Sequence, residues 1–121
     1  MQGRTGQTPP ETMKRRREFL AARQGVKGRG PYFLLEMLDR QDDLPPRAGF
    51  TVTRRSGNAV TRNRIRRRLK EALRVHAADA MAPGHDYVFV GRPDSLTVDF
   101  QTLAREMKRR ISRTGRHGKS T

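Results

Sequence analysis

Between Arg54 and Arg74 the chain carries nine lysines or arginines against one acid, Glu71. In the stretch RRSGNAVTRNRIRRRLKEALR arginine is strongly preferred, with Lys70 its one lysine. Arginine presents planar, forked donors that match phosphate oxygens, whereas a merely solvated helix face has no need of them. On a helical wheel Ile65, Leu69, Ala72, Leu73 and His76 form one apolar stripe, and Asn63, Arg66, Arg67, Lys70 and Arg74 lie opposite it. Arg62, Arg64, Arg66, Arg67 and Arg68 also crowd the first turns, where the helix dipole opposes cations. A phosphate seated among them, next to free backbone N–H groups, reverses that penalty. Glu71 is placed to meet Arg67 or Arg68, but one glutamate cannot neutralise the face.

Hydrolysis by the protein alone would need clustered carboxylates for metal ions or a histidine acting as acid and base. Asp39, Asp42 and Asp43 are the only acidic cluster, and RQDDLPP reads as a solvated, proline-stopped tip. His76, His85 and His117 have no ligand spacing, and His76 falls on the core stripe. There is no cysteine, which removes disulfides, cysteine–zinc modules and a thiol nucleophile. No catalytic residue and no metal site are expected in this chain.

The 121 residues suit one domain with a modest core, since hydrophobic content is 33% and charged content 32%. A net charge of +15 opposes compaction unless a polyanion neutralises it, and favours salt-sensitive binding to nucleic acid. No apolar run approaches the roughly 18 residues of a membrane span, and MQGRTGQTPPET has no apolar signal core. The chain is expected to stay where it is made, away from membranes.

These basic residues must be held by a small scaffold. Residues 1–12 read as a disordered extension, 13–114 as the domain and 115–121 as a loose basic tail. A helix is expected over Met13–Gln24 with Thr12 as its cap, followed by a glycine-rich connection. PYFLLEMLD reads as a strand with Tyr32, Leu34, Glu36 and Leu38 on one face and Phe33, Leu35 and Met37 on the other. RAGFTVTRR reads as a second strand, paired antiparallel with the first. Asn58 is the preferred cap of the basic helix, with Thr61 second, and that helix should reach about Asp79. DYVFVGRP makes another strand, and TVDFQTLAREMKRRISR a last amphipathic helix capped by Thr97 or Asp99. The order α-β-β-α-β-α implies an α+β domain with a small mixed sheet. A strand before the basic helix excludes a helix-turn-helix reader, so structured RNA fits better than duplex DNA.

The basic stretch resembles the signature of the bacterial ribonuclease P protein family: two basic residues ending a strand, a Gly-Asn-Ala-Val turn, then an Arg-Asn-Arg helix. Arg54, Arg55, Gly57, Asn58, Ala59, Val60, Arg62, Asn63, Arg64, Arg66 and Arg67 fill that pattern. KRRREF ending at Phe19, Leu38-Asp39, the GFTV strand and DYVFVGRP extend the resemblance over most of the chain. It implies the order α-β-β-β-α-β-α with a left-handed βαβ crossover, like a domain of a small-subunit ribosomal protein. The additional strand would lie near Gln24–Gly28. It implies a subunit of an RNA-based, cytoplasmic endoribonuclease whose partners are ribonuclease P RNA and precursor tRNA, with no obligate protein partner inferred. Mg²⁺ held mainly by the RNA would support removal of the 5′ leader. By position, Arg54, Arg55, Asn58, Arg62, Asn63, Arg64, Arg66, Arg67 and Lys70 would face the catalytic RNA. Phe19 would stack on the leader in a cleft between the first helix and the sheet, with Arg16, Arg23, Tyr32 and Phe33 around it. Arg23 stands where the family often has a second aromatic, and Glu36 where it has a tyrosine. The alternatives are a structural or ribosomal RNA-binding protein without a part in cleavage, and a DNA-binding regulator.

Overall fold

The most buried strand, HDYVFVG, is also the most central. In the structure, a computed structural model describing residues 10–119, the strands are β1 (Glu11–Thr12), β2 (Val26–Gly28), β3 (Phe33–Asp39), β4 (Arg47–Val52) and β5 (His85–Gly91). The helices are α1 (Arg16–Ala22), α2 (Ala59–Ala72) and α3 (Phe100–Lys119). The five strands form one mixed sheet in the order β1-β4-β5-β3-β2. β5 runs parallel to β4 and antiparallel to β3. The additional strand implied by the resemblance is β2, antiparallel to β3.

The expected pairing of β3 with β4 does not occur, because β5 lies between them. Tyr87 and Phe89 face one side of the sheet and Asp86 and Val88 the other, all four buried, so β5 needs cover on both faces and takes the centre. The wide loop after β3 makes room for it. Arg40 ties that loop to β5, donating to the backbone carbonyl of His85 (2.9 Å) and to Asp86 Oδ1 (2.6 Å).

One sheet face carries Phe33, Leu35, Met37, Val52, Tyr87 and Phe89 against Ile65, Leu69 and Leu73 and the α3 residues Leu103, Met107 and Ile111. This is the main core. The other face carries Val88, Val90 and Leu38 under Met13, Phe19 and Ala22. The alternation expected for β3 therefore holds from Phe33 onward, but Tyr32 departs from it. With φ at 75° it precedes the strand and packs against the main core.

α1 is shorter than expected. Thr12 belongs to β1, and the Met13 N–H donates to the Ala48 carbonyl at 2.9 Å, so residues before Arg16 run extended beside β4. Glu18 caps α1 instead, its Oε1 accepting from the N–H groups of Arg15 and Lys14 at 3.2 and 3.3 Å. After Ala72 the chain stays helical to Ala80 but widens into a π turn over Leu73–Ala77, then tightens. Asp99 caps α3 through an Oδ2 that accepts from the Thr102 N–H at 3.1 Å. α3 continues past Thr114 to Lys119, where a loose tail was expected. Residues 1–9 of the expected N-terminal extension lie outside the described residues, as do 120–121 at the other end.

Candidate nucleic-acid interface

The turn that launches α2 is built from Gly57 and Asn58. Gly57 has φ 139°, a conformation that a side chain would strain. Asn58 then caps the helix as expected, its Oδ1 accepting from the Thr61 N–H at 2.9 Å. Ile65, Leu69 and Ala72 are buried and fix the rotation of α2 on the sheet. The opposite face is thereby turned outward.

Arg54, Arg55, Asn63, Arg64, Arg67 and Lys70 are exposed there, and Arg62 and Arg66 are half-buried. Among the described residues, none of the seven cations in this set forms an ion pair. Arg66 Nη2 donates to Asn63 Oδ1 at 2.6 Å, which orients its guanidinium without neutralising it. Arg62 Nε is buried with no acceptor among the described residues. Glu71 meets neither Arg67 nor Arg68; it pairs with Arg74 at 2.6 Å, one turn further from the crowded end. Arg68 is withdrawn from the face. Its Nε and Nη2 donate to the carbonyls of Ser95 (2.8 Å) and Val98 (2.6 Å), with its guanidinium 5.5 Å from the Phe100 ring centroid.

A groove of about 280 Å³ separates α1 from the sheet, lined by Phe19, Arg23, Leu34, Glu36, Thr51 and Val90 among others. Phe19 and Arg23 thus meet at the expected cleft. Arg16 is exposed on the first turn of α1 and does not line it. Glu36 lies in the wall, bound by Lys27 Nζ at 2.9 Å, and Lys27 also donates to the Arg23 carbonyl at 2.6 Å. Tyr32 and Phe33 are not in the cleft. Phe33 shares the parity of Leu35 and Met37, is fully buried on the other face, and has the Arg110 guanidinium 4.0 Å from its ring centroid. Neither aromatic is placed to replace those missing at Arg23 and Glu36.

A second groove, of about 530 Å³, opens between α2 and the segment leading into α1. Its lining joins Met13, Phe50 and Val60 to Asn63, Arg66, Arg67 and Lys70, and Phe19 borders both grooves. Sequence reasoning missed this site. Its one visible signal was a valine, Val60, among the arginines.

Arginines hold two of the carboxylates. Asp42 accepts from Arg40 Nε and Nη2 at 3.1 and 3.0 Å, and Asp86 is bound by Arg40 and Arg47. His85 Nε2 stands 4.0 Å from Asp39 Oδ2, and His76 packs 5.9 Å from Phe100. Among the described residues no three His, Asp or Glu side chains converge on a metal position. Among the same residues, no helix is long and apolar enough to cross a membrane.

The fold and this surface define a small α+β domain whose central helix presents an arginine face without acidic counterparts. The chain belongs to the Ribonuclease P family, whose model matches residues 8–115. It is 50% identical over 111 residues to the ribonuclease P protein component of Brucella suis, spanning 85% of this chain and 79% of that protein. It is 47% identical over 116 residues to the corresponding protein of Bartonella quintana, spanning 91% and 87%. Among solved structures, the RNase P protein from Thermotoga maritima superposes with TM-score 0.72 at 28% identity, covering 85% of this chain and 96% of that one. The Staphylococcus aureus RNase P protein shares the fold, with TM-score 0.60 at 20% identity over 90% of this chain and 92% of that one.

Proposed function

We propose that this chain is the protein subunit of ribonuclease P. It lays the α2 arginine face on the catalytic RNA, holds the 5′ leader of precursor tRNA in the α1–sheet groove, and assists endonucleolytic removal of that leader in the cytoplasm. The observation that carries the reading is the unpaired face of Arg54, Arg55, Arg62, Arg64, Arg66, Arg67 and Lys70 in a chain of this family.

Each guanidinium that contacts a phosphate releases condensed counterions, which gives association its affinity and its salt dependence. Neutralising crowded phosphates also lowers repulsion between the catalytic RNA and a bound leader. Phe19 offers a half-buried ring on which an unpaired base stacks, and Arg23 a cation for the adjoining phosphate. Mg²⁺ held by the RNA would supply the activation of water and phosphate, while this chain's residues bind and orient the RNA and the leader.

The test is reconstitution with a bacterial ribonuclease P RNA and precursor tRNA at low Mg²⁺. RNA plus protein should release the leader, and protein alone should not. If the protein binds the RNA but leaves the low-Mg²⁺ rate unchanged, it is an RNA-binding protein without a part in cleavage. Equal affinity for duplex DNA and structured RNA would favour a DNA-binding protein.

A further inference from the structure

Val60 stands on the first turn of α2 with 69% of its surface exposed. A β-branched, solvent-facing residue adds nothing to the stability of a helix start. It does, however, border the second groove, whose other apolar surfaces are Met13, Phe19 and Phe50. Single exposed apolar residues are ordinary, but one continuous with a recessed apolar floor is a contact surface.

The rim is of the opposite character. Arg66, Arg67 and Lys70 line one side only, and Asn63 fixes Arg66 by accepting its Nη2 at 2.6 Å. The Asn63 amide keeps its N–H donors for another partner. At about 530 Å³ the groove falls within the roughly 300–1,000 Å³ typical of sites for small ligands. Apolar floor, amide edge and cationic rim together match one chemistry: a nucleobase against the floor with its phosphates on the arginines.

We infer that this groove receives one unstacked nucleotide of the catalytic RNA, a reading that rests on the subunit function proposed above. A paired helix would reach the rim through its phosphates but leave the floor empty, since its bases are stacked inside. The leader is assigned to the groove on the far side of Phe19. The rim is the Asn63, Arg66, Arg67 and Lys70 side of α2, the face turned away from the core, so the strand that fills it is the one lying on that face.

The chain has no cysteine, so a Val60→Cys variant takes one photo-crosslinker at one site. In the complex of the full chain with ribonuclease P RNA, it should crosslink to an unpaired nucleotide of that RNA. Adding precursor tRNA should leave the crosslink in place. Crosslinking to the leader, or only to paired segments, overturns the inference. In parallel, Val60→Gln should weaken RNA binding about 3- to 10-fold with an unchanged log–log salt slope, because the lost contact is apolar. Arg66→Ala, by contrast, should lower that slope by about one. Affinity within about twofold of the parent for Val60→Gln sinks this inference alone. Failure of the parent chain to bind the RNA sinks the subunit reading instead.

Discussion

Arg47 and Asp86 face each other across the parallel pair β4–β5, and Arg47 Nε and Nη2 donate to the two carboxylate oxygens of Asp86, each at 2.8 Å. Asp86 is 1% exposed and also accepts from Arg40, while Arg47 Nη1 donates to Glu18 Oε2 at 2.6 Å. One buried carboxylate thereby ties the β3–β4 loop, the sheet and α1 together. Removing it leaves Arg40 only the exposed Asp42, and Arg47 only the half-buried Glu18, as acidic partners. Asp86→Ala should cost about 3–5 kcal/mol of unfolding free energy, read from urea denaturation. A loss below about 1 kcal/mol would place these arginines among ordinary surface pairs.

Acid should weaken the same fixtures. Burial alone would raise the Glu18 carboxyl, but hydrogen bonds from the Arg15 and Lys14 N–H groups and the charge of Arg47 outweigh it and hold it below its ordinary 4.5. Burial likewise would raise Glu106, and hydrogen bonds from Arg110 and Arg109 bring it below 4.5. A hydrogen bond from Arg40 lowers Asp42 below 3.8. Carboxyls with depressed values bind fewer protons folded than unfolded, so their stabilisation is complete above the unfolded value and lost as pH falls through the folded one. Urea midpoints should therefore be level down to about pH 4.5 and decline below it. Glu106→Gln should flatten part of that decline. Midpoints that rise below pH 4.5 would contradict the assignment.

What the sequence disclosed follows the range of the interactions involved. The start of α2 was legible because Asn58, Thr61, Ile65 and Leu69 act within a few residues of one another. The two faces of β3 were legible because alternation is local. Which face α1 would cover was not, and this is why Phe33 fell on the wrong side of the cleft. The insertion of β5 between β3 and β4 depends on burial of both its faces, a property of the assembled sheet. Arg110 reads as one more cation of a basic helix, yet it is 3% exposed. Besides pairing with Glu106 one turn back on α3, it donates to the carbonyls of Phe33 and Pro31, partners that only the tertiary fold delivers.

Arg68 offers a direct check on which arginines serve the fold. Two carbonyls, of Ser95 and Val98, depend on its donors. Arg68→Ala should destabilise the protein by about 1–3 kcal/mol, the desolvation cost of unsatisfied partners. The salt slope of RNA binding should stay unchanged under conditions where the variant is folded. A slope lowered by about one would return Arg68 to the phosphate-facing set.

Phe19 rests on the backbone of β4 because residue 49 is a glycine. A Cβ at Gly49 would stand 2.5 Å from Phe19 Cε1 and 2.8 Å from Cζ, too close for either to remain. Gly49→Ala should therefore lift the ring and cost about 1–3 kcal/mol through overpacking. The ring forms the boundary between the two grooves, so its displacement has a functional readout as well as a structural one. Phe19→Ala removes a stacking surface worth about 1–3 kcal/mol per base. It should reduce the preference for leader-bearing over mature tRNA by roughly 5- to 150-fold, the same energy expressed as a ratio. Gly49→Ala should move that preference in the same direction, since it disturbs the ring's position and keeps its chemistry. Equal losses for leader-bearing and mature tRNA in both variants would make Phe19 an anchor of α1 alone. Loss of preference in Phe19→Ala, with retained affinity for mature tRNA, assigns the ring to the leader.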